Sequence, residues 1–301
     1  MNVYYLSLKP ETPNNDYWDY GFLNDFIAGG VWQLPGFPKF KTHEVDKLPK
    51  DDSAIVVVPA RHHAGFEEKI NTQLQRIDNV VLFLMGDEEA DFVVEKIEHP
   101  SIHVWVQNPH PGRHDQYDKL GTTYPPQSQQ ILPKLKPSKK LNAYFSGQIT
   151  HKRRQDMWDI ITHYESEAGK CKFERTRGFT QGVPHEQYYQ DMVSARVVPC
   201  PSGAVIPDSF RLFEALECMA VPFADNKNSQ GTVKDYWEWL FDSDVPFPRI
   251  NEWDRFYGLM NETLDEWPEN VFEITAWWIK YKREFAYKVK EQLDGTIQIK
   301  R

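Results

Sequence analysis

Short runs of apolar residues alternate with stretches of helical period through residues 1–120. Alternation of this kind is typical of a parallel sheet covered by helices, because strands buried on both faces are apolar along most of their length. We predict strands at 2–8, 53–59, 80–85 and 102–107, and helices near 20–28, 65–77 and 87–98. The pattern therefore predicts an α/β fold for the first part of the chain.

The alternation stops between Tyr124 and Lys140, where the chain reads YPPQSQQILPKLKPSKK. Prolines spread through this segment prevent a continuous helix or a central strand, so we expect a domain boundary here. Beyond it, strands are predicted at 141–146, 170–174, 195–200 and 220–224, and helices at 152–164, 184–194 and 208–219. Residues 251–293 are predicted to be helical, and their many aromatic residues are expected to pack against the domains.

The pattern thus predicts an N-terminal Rossmann-like domain over 1–133, a second over 134–250 and a helical tail over 251–301 that packs back on them. Two sheet-and-helix domains in tandem imply a cleft between them. In an open parallel sheet, ligands bind at the carboxyl ends of the strands, where helix amino termini offer N–H groups to anions. Ligand-binding and catalytic residues are therefore expected at strand ends.

Composition excludes several classes of protein. No apolar run approaches the ~20 residues that span a bilayer, and the amino terminus lacks the pattern of a signal peptide. Cys171, Cys200 and Cys218 are odd in number and lack C-x-x-C spacing, which argues against a disulfide framework and a structural zinc site. We expect a cytoplasmic protein without a membrane span.

Charge is distributed unevenly along the chain. The net charge is -9, and residues 1–133 carry 11 Lys and Arg against 19 Asp and Glu. Residues 134–154, by contrast, hold seven Lys and Arg and no acidic residue. Binding to a phosphate backbone requires clustered cations, so any nucleic-acid role would depend on this local patch.

A first candidate site follows the strand at 141–146. The chain continues through Gly147 and Gln148 into a helix that opens with HKRR, residues 151–154. Glycine permits close backbone approach, and Arg153 and Arg154 could contact a diphosphate bidentately. A solvated basic face beside a linker is an equally good interpretation of these residues.

A second candidate site lies between Arg196 and Asn226, where strand, glycine-containing loop, helix and strand follow one another. Asp208 is the predicted helix N-cap. Arg211 and Glu214, at i and i+3, share a helix face, and they suit the phosphates and the ribose hydroxyls of a nucleotide sugar. By spacing alone, an intrahelical ion pair explains them as well.

Several segments between Leu141 and Asn226 together resemble the carboxyl-terminal half of the exostosin-like glycosyltransferases: YFSG, HKRR, YYQDMVSARVVPCPSG and DSFRLFEALECMAVPF. The resemblance implies a GT-B fold and an inverting transfer of a sugar from a nucleoside diphosphate, UDP-linked donor to a hydroxyl of a glycan or similar acceptor. It further implies a set of donor-binding residues: Gly147, Arg153, Arg154, Ser202, Gly203, Ser209, Arg211 and Glu214. One departure is Met219-Ala220, where the family usually has Gly before the Val-Pro strand.

An inverting transferase needs a general base for the acceptor hydroxyl. Strand ends of the first domain offer Asp87 as the first candidate, followed by Glu88, Asp19 and His63. For each acidic residue, a helix cap or a solvated charge is the alternative role.

Metal and cofactor chemistry are not expected. His62, His63, His110 and His114 lack metal-ligand spacing, and the D-x-D sequence at 242–244 precedes a turn-like segment, where turn capping explains it. Two functional alternatives stay open. One is transfer to hydroxymethylated pyrimidines in viral DNA, motivated by the basic stretch; the other is a non-catalytic nucleotide- or glycan-binding module.

Overall fold

The computed structural model describes residues 1–9, 17–29, 37–163, 170–178 and 181–295. Their contacts divide the chain into two units. One comprises the described residues of 1–126 and 280–301, and the other those of 127–279. Each unit contains a parallel sheet whose strands are joined mainly through helices.

Within its described residues, the first unit contains a six-stranded sheet in the order β2-β1-β3-β4-β5-β6, with every pairing parallel. Its strands are β1 (Asn2–Leu6), β2 (Lys41–Val45), β3 (Asp51–Pro59), β4 (Ile77–Met85), β5 (Ile102–Gln107) and β6 (Asp118–Leu120). Its helices are α1 (Gly21–Ala28), α2 (Ala60–His63) and α3 (Glu67–Leu74). The central strands β3 and β4 carry continuous buried apolar runs, as strands covered on both faces require. The four strands predicted here are confirmed.

The helix predicted over 87–98 is wrong, because side chains take up the N–H groups that would begin it. The Asp87 carboxylate accepts hydrogen bonds from the backbone N–H groups of Asp91 at 3.1 Å and Phe92 at 2.9 Å. Ala90 has a φ of 56°, outside the right-handed helical region. A side chain that bonds nearby backbone groups competes with helix formation in this way.

The second unit is built on a five-stranded sheet in the order β13-β10-β9-β7-β8, among the residues that the structure describes. Its strands are β7 (Leu141–Gly147), β8 (Cys171–Arg175), β9 (Ala195–Cys200), β10 (Val221–Asp225) and β13 (Arg249–Ile250), and β11 (Lys227–Asn228) and β12 (Gly231–Thr232) form a small antiparallel pair. Its helices are α4 (Pro126–Ile131), α5 (Lys152–His163), α6 (His185–Ser194), α7 (Phe210–Glu217), α8 (Tyr236–Phe241) and α9 (Phe256–Asp265). The strands and helices predicted for this part are confirmed, apart from residue 164, which lies outside the described residues. The short strands and α8 were not foreseen.

The last helix, α10 (Glu269–Leu293), contributes aromatic side chains to both units. In the second unit, Trp278 donates from its indole N–H to Oε1 of Glu217 at 2.6 Å. In the first unit, the Phe285 ring lies edge-on to Trp105, with 4.8 Å between ring centroids. Among the described helices, none combines the length and apolar character that crossing a bilayer requires.

A buried ion pair joins Arg153, in the first turn of α5, to Asp225, the last residue of β10. Nε of Arg153 lies 2.9 and 3.0 Å from the two Asp225 oxygens, and a terminal guanidinium nitrogen lies 2.8 Å from Oδ1. Asp225 is fully buried, and it also accepts the backbone N–H groups of Ser202 and Lys227. Burial raises the pKa of Asp225, whereas the guanidinium favours the charged form and opposes that rise. One carboxylate therefore holds β10, α5 and the loop after β9 together.

Removing one partner of this pair leaves a buried charge uncompensated. We expect Arg153→Ala to lower the free energy of unfolding by about 3–5 kcal/mol. The adjacent Lys152, whose ion pair with Asp156 is exposed, provides the control, since Lys152→Ala should cost less than about 1 kcal/mol. Urea denaturation of both variants measures the difference. Equal small effects would contradict a central role for the Arg153–Asp225 pair.

Candidate functional site

The residues predicted to bind a donor lie at the carboxyl edge of the second unit's sheet. Gly147 ends β7, and Ser202 and Gly203 follow the neighbouring strand β9. Arg153 and Arg154 lie in the first turn of α5, and Arg211 and Glu214 lie in α7. The structure therefore brings together residues that are up to 67 positions apart in the sequence, Gly147 to Glu214.

Arg211 passes directly over Gly147. A Cβ atom at residue 147 would lie 2.4 Å from a terminal nitrogen of Arg211, so any other residue would require the guanidinium to shift. Arg211 donates to the carbonyl oxygen of Ser146, and its guanidinium carbon lies 4.5 Å from the centroid of the Phe145 ring. The backbone and the aromatic ring thus fix a cation at the end of β7.

Arg154 connects the loops that follow β7 and β9. Its Nε donates to the carbonyl oxygen of Ser202 at 3.0 Å, and NH1 donates to that of Gln148 at 3.3 Å. Nε2 of His151 also donates to the Ser202 carbonyl, at 3.2 Å. Burial and the charge of Arg154 lower the pKa of His151, so its ring is neutral near pH 7.

Three buried polar atoms at this edge have no hydrogen-bond partner among the described residues: Nδ1 of His151, Oγ of Ser202 and Nε of Arg211. Buried polar groups in proteins are nearly always paired, and unpaired ones concentrate where a ligand or water completes them. The edge therefore has both an unused donor and an unused acceptor, because Nε of Arg211 can donate a hydrogen bond and Oγ of Ser202 can donate or accept one.

Arg211 and Glu214 do not form the intrahelical ion pair that their spacing allows. The two carboxylate oxygens of Glu214 accept hydrogen bonds from the hydroxyl groups of Tyr188 at 2.6 Å and Tyr189 at 2.8 Å. Arg211 donates to Ser146 instead. The two side chains therefore share a helix face while keeping separate partners.

The loop before α7 differs from the prediction at its cap. Asp208 is not the N-cap, which is Ser209, and Ser209 makes no side-chain cap hydrogen bond. Asp208 is buried, and its carbonyl oxygen accepts the N–H of Gly203 at 3.1 Å, whereas the Ser209 hydroxyl donates to the carbonyl of Pro201 at 3.3 Å. A compact loop, closed by Gly203, positions the start of α7.

A pocket of about 530 Å³ opens beside this edge and is lined by residues 148–150 and 175–177. Arg175 and Arg177 are exposed there, and neither forms an ion pair with a described residue. Sequence reasoning missed both arginines. The sequence does indicate them, because the R-T-R sequence directly follows a predicted strand and so lies at the carboxyl end of that strand.

In the first unit, Asp19 lies against the carboxyl end of β4. A Cβ atom on Gly86, whose φ of 73° itself favours glycine, would lie 2.9 Å from Oδ2 of Asp19. Gln107, at the end of β5, accepts the Gly86 N–H at 2.8 Å and donates to the Asp19 carbonyl at 3.0 Å. Gln107 thereby holds the Asp19 backbone, and Gly86 leaves the space that the Asp19 carboxyl group occupies.

Burial is the largest influence on the pKa of Asp19. It raises the pKa of this carboxyl from 3.8 to about 7; a hydrogen bond from Tyr17 opposes the rise, and the charge of Glu88 adds to it. Asp19 is only 7% exposed. A carboxyl group with a pKa near neutrality is suited to accept or donate a proton at physiological pH.

The other base candidates have different surroundings. Asp87 is 6% exposed, and both of its oxygens accept loop N–H groups. His63 is fully buried; Nδ1 donates to the Pro59 carbonyl, and Nε2 accepts the N–H of Leu8. Glu88 is partly exposed, and its charge acts on Asp19. Of these four candidates, Asp19 has the environment that best matches a base.

Comparisons with known proteins give only distant likenesses. No protein-family model matches the chain, and no curated protein matches its sequence. The DNA-modifying enzyme β-glucosyltransferase, solved with and without uridine diphosphoglucose, is 13% identical, with 98% of each chain covered and a TM-score of 0.43. The Anabaena protein HepE, solved in complex with UDP, is 11% identical, with 95% of this chain and 94% of HepE covered and a TM-score of 0.35. Neither TM-score reaches 0.5, and neither likeness assigns a function.

Replacing Gly147 should displace Arg211. We expect Gly147→Ala to lower the free energy of unfolding by about 1–3 kcal/mol, because Arg211 loses its hydrogen bond and its ring contact. In an Arg211→Ala background the same substitution should cost much less, and a double-mutant cycle in urea measures this coupling. Gly258→Ala is the control: no atom lies within 4 Å of the added Cβ, and alanine in helix α9 should be neutral or stabilising. Additive effects of the two substitutions would contradict the contact.

The raised pKa of Asp19 predicts a pH-dependent stability. Between about pH 4 and 7 the folded protein keeps a proton that the unfolded chain loses, so Asp19 contributes less to stability as pH rises. Asp19→Asn lacks this titration and should gain stability relative to wild type, on the order of 2–4 kcal/mol between pH 4 and 8. Urea denaturation of both proteins at pH 4, 6 and 8 measures the gap, and a gap that does not change with pH would refute the raised pKa.

Proposed function

We propose that the chain is a glycosyltransferase that binds a nucleoside diphosphate sugar at the carboxyl edge of the second unit's sheet. The observation that carries this proposal is the placement of Arg211 over Gly147, with Glu214 one turn further along α7. A cation for the diphosphate and a carboxylate for the ribose thus stand on one helix face, held by separate partners. Residues resembling the exostosin-like family occupy the same edge.

The surroundings of Arg211 support an anionic ligand. Arg154, in the first turn of α5, bonds the adjoining loops, and Arg175 and Arg177 line the neighbouring pocket. Arg153 has a different role, because its guanidinium is taken up by Asp225 and by the carbonyl of Asn251. We therefore assign phosphate binding to Arg211 and Arg154, and the support of the edge to Arg153.

For the chemical step, Asp19 is the proposed general base. Its carboxylate would take the proton of the acceptor hydroxyl while that oxygen bonds to the anomeric carbon of the donor. The bond between the anomeric carbon and the diphosphate oxygen breaks with inversion, and Arg211 and Arg154 stabilise the departing diphosphate. In this proposal, arginine charge serves the leaving group and a metal ion is not required. We propose a UDP-linked donor, in keeping with the resemblance.

The acceptor is proposed to be a hydroxyl group of a glycan or a similar molecule. The basic stretch 134–154 had suggested DNA, but much of its charge is used within the unit. Lys139 donates to the carbonyls of Ala195 and Cys218, and Arg153 pairs with Asp225. The structure therefore offers less support for a DNA acceptor than the sequence did.

Donor binding is testable in one variant. We expect Arg211→Ala to weaken binding of a UDP-sugar by about 10- to 100-fold, because charge-assisted hydrogen bonds to the diphosphate are lost. Titration calorimetry with a panel of nucleotide sugars measures the affinity. Arg283→Ala, on an exposed position of α10, is the charge-matched control and should bind as wild type does. Undiminished affinity in Arg211→Ala would overturn the assignment of the site.

Catalysis is tested separately through Asp19. The rate should rise with pH and level off above about pH 7, because only the deprotonated carboxylate acts as a base. Asp19→Asn should lower kcat by about 100-fold or more, abolish this pH dependence and leave donor affinity unchanged. Release of nucleoside diphosphate from the donor panel measures turnover. Wild-type protein that binds donors but releases no nucleoside diphosphate would point to the binding-module alternative.

A further inference from the structure

Two consecutive tyrosines of helix α6 converge on one carboxylate. Tyr188 donates to Oε2 of Glu214 at 2.6 Å, and Tyr189 donates to Oε1 at 2.8 Å. The two tyrosine rings pack edge to face, with 5.2 Å between centroids. Glu214 is 5% exposed and Tyr189 is 1% exposed, so these hydrogen bonds form where water competes little. Both oxygens of Glu214 are therefore fixed in position.

Both tyrosines stay in the donating form at any physiological pH. Burial, together with the negative charge of Glu214, raises the pKa of Tyr188 and of Tyr189 well above the usual value. A third tyrosine, Tyr144, packs against Tyr188 at 5.9 Å, but its hydroxyl makes no hydrogen bond to Glu214. Glu214 is thus held by two tyrosine hydroxyl groups that keep their protons and donate hydrogen bonds to its carboxylate.

This arrangement is costly if it serves the fold alone. Glu214 is a buried carboxylate without an ion-pair partner among the described residues, and apolar side chains of similar volume commonly stabilise such a position better. An ionised carboxylate has about four acceptor sites, and the tyrosines fill two of them. Glu214 lies on the same helix face as Arg211, the proposed phosphate ligand.

We propose that Tyr188 and Tyr189 are positioning residues, which fix Glu214 so that its carboxylate accepts the hydroxyl groups of the donor's ribose. This inference rests on the proposed function and adds two positioning residues to the same site. A site built to bond a hydroxyl discriminates strongly against the analogue that lacks it, because its own polar group is then left unpaired. The preference for a ribose over a 2′-deoxyribose should therefore depend on how rigidly Glu214 is held.

The test compares UDP with 2′-deoxy-UDP by calorimetry in wild type, Tyr188→Phe, Tyr189→Phe and Tyr144→Phe. Wild type should prefer UDP by about tenfold or more. Each phenylalanine variant at 188 or 189 should reduce that preference by about threefold to tenfold, through weaker UDP binding with 2′-deoxy-UDP affinity nearly unchanged. Tyr144→Phe removes a neighbouring buried hydroxyl and should keep the wild-type ratio. Thermal unfolding checks that each variant folds. If one of Tyr188→Phe and Tyr189→Phe does not fold, the other still tests the inference.

The outcomes separate this inference from the function on which it rests. If wild type binds UDP and 2′-deoxy-UDP equally, or if both phenylalanine variants keep the wild-type ratio, the ribose inference is overturned while nucleotide binding stands. If both affinities fall together in the variants, the tyrosines support the fold and the inference is likewise overturned. If wild type binds neither compound, nor GDP or ADP in the same titration, the proposed function fails and the inference fails with it.

Discussion

The buried ion pair between Arg153 and Asp225 is the contact on which the second unit's candidate site depends. It joins the amino end of α5 to the carboxyl end of β10, and the same carboxylate receives the Ser202 N–H of the loop after β9. This link adds to the hydrogen bonds that Arg154 and His151 donate to the Ser202 carbonyl. A buried ion pair is not in itself a source of high stability, but breaking it leaves a charge without compensation. Here the ion pair fixes the position at which α5, β10 and the loop after β9 meet.

Near this ion pair, neighbouring residues hold each candidate binding group in place. Gly147 leaves the space that Arg211 occupies, Phe145 covers the guanidinium, and Tyr188 and Tyr189 hold Glu214. Preorganised donors and acceptors bind a ligand without the cost of ordering mobile side chains. In the first unit, Gln107 bonds the Asp19 backbone and Gly86 leaves space for its carboxyl group, and burial is the largest cause of the raised pKa of Asp19.

Much of this could be predicted from the sequence, and the physical reasons for success and failure differ. Buried parallel strands such as β3 and β4 are read directly from continuous apolar runs. The segment after Asp87 was misread, because its helical pattern ignores a carboxylate that captures backbone N–H groups locally. Likewise, a spacing of i and i+3 could not show whether Arg211 and Glu214 pair with each other, since the decisive partners, Ser146 and Tyr188, are far away in the sequence. The proposal of Asp19 as the base, ahead of Asp87, likewise rests on a property that a local pattern does not show, because burial raises the pKa of Asp19.

The central claim is that a nucleoside diphosphate binds at the carboxyl edge of the second unit's sheet. A crystal structure of the protein with UDP tests it most directly. The account predicts the diphosphate within hydrogen-bonding distance of Arg211 and beside Gly147, with a ribose hydroxyl on Glu214. A nucleotide seated away from these residues, or an edge that stays empty at saturating UDP while the nucleotide binds elsewhere, would contradict it.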